Sequence, residues 1–148
     1  MKIPLNIWEH QNAIKALYGN CMGPVCQEHS ITRMDLDILL FLANNPRFDT
    51  ARDMVEIRYL SKSQVSASVN QLEKNGYLRK YYAQDNRKTA HLLLCDKADP
   101  IIQDGRKAQE QFFAVMTEGI PTEELACMER CMTQMWENID RHMKEETR

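Results

Sequence analysis

The chain lacks a long hydrophobic run. Its longest uninterrupted apolar stretch, Ile38 to Ala43, is six residues, whereas a membrane-spanning helix needs roughly 20. No helical membrane span is therefore expected. No basic-then-apolar leader opens the chain, which favours a cytoplasmic rather than a secreted location. Glycine and proline number only five each, which excludes collagen-like and low-complexity chains. The five cysteines are an odd number and no two stand as Cys-x-x-Cys. A disulfide scaffold and a zinc knuckle are thereby disfavoured, and free thiols in a reducing compartment are expected. There is no glycine-rich phosphate loop, no His-Glu-x-x-His and no Gly-x-Ser-x-Gly, so the common enzyme signatures are missing.

What is present is an ordinary globular composition. The chain has 148 residues, 43% hydrophobic and 27% charged, which suits one domain with its own core. Net charge is only −2, but the charge is unevenly placed. Residues 50–97 hold nine Lys or Arg against five Asp or Glu, a surplus of four, while the remainder carries a surplus of six negative charges. A basic middle between acidic ends marks a candidate polyanion-binding face.

Periodicity predicts a mainly helical chain. Ile7, Ile14, Leu17, Tyr18 and Cys21 are spaced as one face of a helix over 7–22, which Gly23-Pro24 is expected to end or kink. Thr32 is the predicted N-cap of a helix over 33–44, with Asp35 completing an imperfect capping box and Asn44-Asn45-Pro46 closing it. Thr50 starts a short helix to about Tyr59. Ser61 and Gln64 form a further predicted capping box for a helix that runs to Asn75, with Gly76 as its left-handed end. Leu78–Tyr82 and Thr89–Leu94 are rich in strand formers and flank the polar turn Gln84–Arg87, which reads as a hairpin. Helix returns over 97–118, with Pro100 tolerated in its first turn. Gly119-Ile-Pro121 interrupts it, and a last helix is predicted over 122–144.

Two short helices, a tight turn and a hairpin make a winged helix-turn-helix. At about 100° per residue, Val65, Val69 and Leu72 fall together as an apolar wedge. The opposite face carries Ser63, Ala67, Asn70 and Lys74, with Ser66 and Gln71 beside it and Glu73 as the flanking acid. Small residues permit close approach to a major groove, and Asn, Gln and Ser can bond base edges. The start of this helix, with Lys62 and free amides, suits a phosphate. Arg87 and Lys88 are expected at the hairpin tip, with Asp85 placed to orient Arg87, and an arginine on such a wing suits a narrow minor groove. The bland alternatives are a solvated helix face and a solvated turn; the order of the two elements favours double-stranded DNA as the partner. A winged helix that uses this face on protein is the alternative, and steep weakening by salt would distinguish DNA binding from it.

These residues resemble a known family. Thr50-Ala-Arg-Asp-Met54, Ser61-Lys-Ser-Gln-Val-Ser66, Val69-Asn-Gln-Leu-Glu-Lys-Asn-Gly76 and Asp85-Asn-Arg87 together look like a MarR-family transcriptional regulator. Ile31-Thr-Arg-Met-Asp-Leu-Asp-Ile-Leu39 resembles the family's second helix, and Pro121-Thr-Glu-Glu-Leu125 the start of its last. The resemblance implies a homodimer that reads a pseudo-palindromic operator as a repressor. It implies dimerisation helices over 1–29 and 98–148 and a DNA-binding lobe over 30–97. By position, Ser63, Gln64, Ser66, Ala67 and Asn70 would face bases, Thr50, Lys62 and Lys80 phosphates, and Arg87 the minor groove. Ala67 stands where an arginine is common. Cys95 replaces a capping threonine, so Asp96 is expected to cap the next helix. Independently of the resemblance, Leu125, Met128, Met132, Met135 and Ile139 are spaced 3, 4, 3, 4, a coiled-coil-like seam; intramolecular packing is the alternative.

Signal-sensing candidates are of three kinds. Cys21, Cys26 and His29 are possible soft metal ligands, although reduced, half-buried thiols are the commoner reading. Cys95, the i, i+4 pair Cys127 and Cys131, or the pair Cys21 and Cys26 are redox candidates if the thiolate is favoured. His10, His91 and His142 read as surface or strand residues. The resemblance also implies a pocket for an aromatic or phenolic effector, which Trp8, Tyr18, Phe41, Phe112 and Phe113 would line unless they are simply core. No resident cofactor is implied.

Overall fold

In the computed structural model, residues 7–146 are described, and the side chains of Ile7, Trp8, Glu9 and Glu146 lie outside that description. The elements are α1 (Ile7–His29), α2 (Arg33–Asn44), α3 (Ala51–Arg58), α4 (Lys62–Lys74), β1 (Leu78–Ala83), β2 (Asn86–Leu94), a 3-10 turn (Asp96–Ala98), α5 (Asp99–Met116) and α6 (Thr122–Glu146). The fold is mainly helical with one antiparallel hairpin, as the periodicity predicts. Among the described residues no helix is long and apolar enough to cross a membrane. The chain divides into two compact units, Met1–Phe112 and Phe113–Arg148.

The first unit is built on α2. Leu36, Ile38 and Leu39 are completely buried, and Met22, Met54, Val65, Leu72 and Ile101 close around them. Helix α5 lays Ile101, Ile102, Gly105, Ala108 and Phe112 inward at helical spacing. It approaches α2 so closely that a Cβ on Gly105 would lie 2.9 Å from a Leu40 methyl.

The expected end of the first helix near residue 22 is not observed. Helix α1 continues through Pro24 to His29. Met22 and Val25 are both buried in the core, so packing favours continuation. Proline removes one amide donor, but Asn20, Gly23 and Pro24 all face solvent, where water can satisfy the freed carbonyl. The helix then closes at Ser30, in the left-handed region with φ 52°.

Helix starts follow the caps in two cases of three. Thr32 with Asp35 and Thr50 with Asp53 each form a complete capping box. The Ser61–Gln64 box does not form: the Ser61 hydroxyl makes no capping bond and instead pairs with the Ser63 hydroxyl at 3.0 Å. Both boxes that form use a carboxylate, whose charge strengthens its bonds to backbone N–H groups. Gln64 offers only a neutral amide and remains exposed. Gly76, with φ 78°, takes the left-handed position expected of it.

The hairpin is longer and its turn shorter than the pattern implied. Only Gln84 and Asp85 form the turn. Ala83 pairs with Asn86 and Tyr82 with Ala90, so Arg87, Lys88 and Thr89 bulge out of register. Asn86 props the bulge, accepting from the Lys88 N–H at 3.0 Å and donating to Thr89 Oγ1 at 3.1 Å. At its base, the Cys95 N–H donates to the Tyr77 carbonyl at 2.9 Å. Asp96 does not cap the next helix. It sits inside the 3-10 turn, and Cys95 is the N-cap of that turn with no side-chain bond.

The second unit contains the break at Gly119, with φ 77°, and helix α6. Met128, Met132, Met135, Trp136, Ile139 and Met143 are all exposed on α6.

Candidate nucleic-acid interface

Helix α4 is two-faced in the way its sequence dictates. Val65, Ser68, Val69 and Leu72 are buried, and α4 packs on α2, α3 and β1. Ser68 lies outside the predicted wedge; its hydroxyl donates to the buried carboxylate of Asp35 on α2. Lys62, Ser63, Gln64, Ser66, Ala67, Asn70, Gln71 and Lys74 are all exposed. Lys62 and Ser66 line a cleft with Ala51, Arg52, Val55 and Glu56 of α3. Gln64, Ala67 and Gln71 line another groove with Thr32 and Met34.

The wing is tied to this helix by one acid. Glu73 accepts from the Lys80 backbone N–H at 3.1 Å and forms an ion pair with Lys80 Nζ at 3.2 Å. These bonds, the side-chain one foremost, hold the Glu73 carboxyl below its ordinary range. Lys80 Nζ also donates to Asn70 Oδ1 at 2.6 Å. Two residues expected to touch DNA separately are thus bonded directly to each other, and a glutamate read only as a flanking acid holds the lysine in place.

A second tie holds the wing to the loop before α3. His91 Nδ1 lies 2.8 Å from Asp49 Oδ1, and the Tyr81 hydroxyl donates to Asp49 Oδ2 at 3.2 Å. The Tyr81 and His91 rings stack at 5.1 Å. Burial, then the Asp49 carboxylate, raises the Tyr81 hydroxyl above its ordinary value. Thr50, beside Asp49, accepts from the Asp53 N–H and donates its own proton to the Asp53 carboxylate at 2.7 Å. Its hydroxyl is already engaged in the cap.

Arg87 and Lys88 are exposed, in the bulge just past the turn rather than at its tip. Among the described residues the ion pairs do not include Asp85 with Arg87. The short turn and bulge replace the expected loop in which Asp85 would have reached it. Arg79 on β1 and Tyr59 in the turn between α3 and α4 are further exposed groups that the motifs did not single out. Tyr59 is left-handed, with φ 52°, and 92% exposed.

Residues 29–88, which span this helix-turn-helix and most of the wing, match the sequence model of the MarR family. This segment belongs to the MarR family. The chain is also similar in fold to solved MarR-family structures. One is a transcriptional regulator from Listeria monocytogenes complexed with a 26mer DNA, at 18% identity and TM-score 0.74, covering 93% of this chain and 90% of that one. Another is a MarR protein from Peptoclostridium difficile, at 13% identity and TM-score 0.74, covering 95% and 92%. A third, from Silicibacter pomeroyi, has 15% identity and TM-score 0.72, covering 86% of each chain. No curated protein sequence matches the chain.

Three of the aromatic effector candidates, Tyr18, Phe41 and Phe112, are packed together or buried. Tyr18 meets Phe112 edge-on at 5.1 Å. The Arg33 guanidinium lies 4.6 Å from the Tyr18 ring centre, and Gln109 donates to the Tyr18 hydroxyl at 3.1 Å. Phe41 is 4% exposed in the core. The Trp8 side chain lies outside the described residues. Phe113, in the second unit, is exposed.

The grouping of Cys21, Cys26 and His29 is not found. Both cysteines pack against the hydrophobic core, and burial raises the Cys26 thiol above its ordinary value, the opposite of what a thiolate ligand needs. His29 turns to Asp104 at 2.9 Å. Among the described residues, the donor atoms of Glu28, His29 and Asp104 lie within 4.8 Å of one another, with Lys107 already 3.4 Å from the second oxygen of Asp104. Cys95 is half-buried, and Cys127 and Cys131 are exposed on α6.

Proposed function

We propose that this chain is a MarR-family DNA-binding transcriptional regulator that grips a pseudo-palindromic operator as a homodimer. The observation that carries the reading is the exposed face of α4. It presents Ser63, Gln64, Ser66, Ala67 and Asn70 to solvent with no acidic side chain among them, a surface suited to base edges in a major groove. Lys62, at the first turn of α4, and the amide end of α3 below Thr50 face a phosphate backbone. The exposed Arg87 and Lys88 of the wing enter the adjacent minor groove. The DNA-complexed Listeria structure supports the same use of a similar fold.

The dimer reading is supported by α6. Its predicted seam residues Met128, Met132, Met135 and Ile139 are 40–51% exposed in the single chain, an apolar stripe that a second copy would cover. Repression is relieved by a signal: an aromatic effector near Tyr18 and Phe112, or oxidation at Cys95, Cys127 or Cys131. Either acts only by favouring a dimer state that binds operator less well.

Selection of bound fragments from the host genome, followed by titration against salt, tests the reading. A recovered palindrome is expected, with affinity falling steeply as salt rises. Arg87→Ala is expected to weaken binding to all sequences and to lower the salt slope by about one. A monomeric protein indifferent to genomic fragments in dilute buffer would refute the proposal. If peroxide releases DNA from the wild type and from every single Cys→Ser variant alike, the redox signal is refuted.

A further inference from the structure

We infer that Lys80 sets which way the Asn70 amide faces, and so fixes the base that α4 reads through it. This inference rests on the DNA-binding reading above and deepens it. An asparagine side chain carries one acceptor and one double donor. Its favoured partner in the major groove is adenine, because adenine offers an acceptor at N7 and a donor at N6, and asparagine meets both at once. That pairing needs both ends of the amide free.

In this chain they are not both free. Lys80 Nζ stands 2.6 Å from Asn70 Oδ1. An ammonium has only protons to offer, so the amide must turn its oxygen toward Lys80 and its nitrogen away. Lys80 is not a loose surface lysine: its side chain is 24% exposed. Glu73 holds it twice, at the backbone N–H and at Nζ. Glu73 lies one turn beyond Asn70 on α4, so helix and wing strand together close a three-residue clamp. The outward NH2 of Asn70 is then a donor with no companion acceptor. It suits guanine, with acceptors at N7 and O6, or thymine, with an acceptor at O4, and it matches adenine only at N7. Lys80 is a positioning residue in this account, where the family resemblance implied a phosphate contact.

The test is sequence selection from a random double-stranded library with the full chain and its variants, each checked by thermal melting. The position whose preference is lost in Asn70→Ala defines the base that Asn70 reads. The wild type is expected to prefer guanine or thymine there. Lys80→Met frees the amide oxygen and is expected to raise the relative affinity for adenine at that position about tenfold. Lys80→Arg keeps a donor against Asn70 and retains the wild-type preference. Glu73→Gln loosens the clamp and shifts preference in the same direction as Lys80→Met, by less; it keeps the question answerable if Lys80→Met does not fold. Adenine preferred by the wild type at the Asn70 position would overturn the inference while leaving DNA binding intact. So would a Lys80→Met variant that binds every sequence more weakly, with a lower salt slope and an unchanged base profile, since Lys80 would then be a phosphate contact. If the wild type selects no sequence at all, the DNA-binding reading falls and takes this inference with it.

Discussion

Replacing Asp35 by alanine is expected to cost about three times as much as replacing Asp53, although both acids complete the same capping box. Each carboxylate accepts from the N–H of its N-cap threonine at 3.0 Å, and Asp53 accepts from the Thr50 hydroxyl as well. The difference lies in the second oxygen and the surroundings. Asp35 is 6% exposed and also accepts from the hydroxyl of Ser68, itself 8% exposed. Its loss strands a buried hydroxyl donor, worth about 2 kcal/mol, besides a helix-end bond worth about 1 kcal/mol. The sum is about 3 kcal/mol, which lowers Tm by roughly 6–12 °C for a chain of this size. Asp53 is half-buried and serves only Thr50. Water can replace it, and its loss is expected to cost about 1 kcal/mol. Urea unfolding at one fixed protein concentration measures both, because stability coupled to self-association varies with concentration. The double variant Asp35→Ala, Ser68→Ala supplies the control. If the buried bond is the source of the difference, removing Ser68 from the Asp35→Ala background adds almost nothing, giving a coupling of about 1–2 kcal/mol. Equal costs for Asp35→Ala and Asp53→Ala, or additive costs for Asp35 and Ser68, would refute the reasoning.

Two glycines of the long helices, Gly19 half-buried and Gly105 buried, carry opposite expectations. Gly19→Ala meets no atom within 4 Å and is expected to raise stability by about 1 kcal/mol through helix propensity, whereas Gly105→Ala presses on Leu40 and Leu36 at 2.9–3.2 Å and loses more by overpacking, about 1–3 kcal/mol, than it gains; denaturant midpoints decide both signs. Bonds from His29, then Lys107, hold the Asp104 carboxyl below its ordinary value of 3.8, so its contribution is present above that value and is lost as pH falls through the lowered one. The melting curves of the wild type and Asp104→Asn are therefore expected to converge below about pH 4; a constant gap down to pH 3 would contradict this. Burial raises the Cys26 thiol, so iodoacetamide at pH 8 is expected to label Cys127 and Cys131 first, read by peptide mass; equal rates would contradict it.

The elements that sequence reasoning placed well are those whose signal is local. Thr32, Thr50 and Gly76 act on the backbone within a turn of themselves, and the α4 wedge of Val65, Val69 and Leu72 comes from helical angle alone. The departures arise where distant contacts decide. Pro24 does not end α1, because Met22 and Val25 reach a core built mostly from α2 and α5. Ser61 has two local partners to choose between, and a neutral glutamine does not win the competition. The bulge at Arg87–Thr89 depends on which residues of the two strands pair, and a run of polar residues around a turn leaves that register open. The same limit applies at the interface. Which side chains face outward on α4 was legible from the sequence; that Asn70 and Lys80 meet was not. Nothing in their spacing brings a helix residue and a strand residue together until the turn at Gly76 is folded.

Those distant contacts also determine how the lobe can move. Asp35 pins α4 to α2, Glu73 pins β1 to α4, and His91 with Tyr81 pins the hairpin to Asp49 ahead of α3. The Cys95 N–H closes the hairpin base on Tyr77. Swinging the wing away from α4 would break the Glu73–Lys80 pair and the Asp49 network together, while rotating the lobe as one body breaks neither. A signal with only a few kcal/mol of differential affinity is therefore better matched to whole-lobe reorientation than to wing opening. Within such a body the spacing between α4 and the wing stays constant. In the proposed homodimer, the quantity that a signal would change is then the separation between the lobes of the two copies, and operator half-site spacing is the feature of the DNA that would detect it.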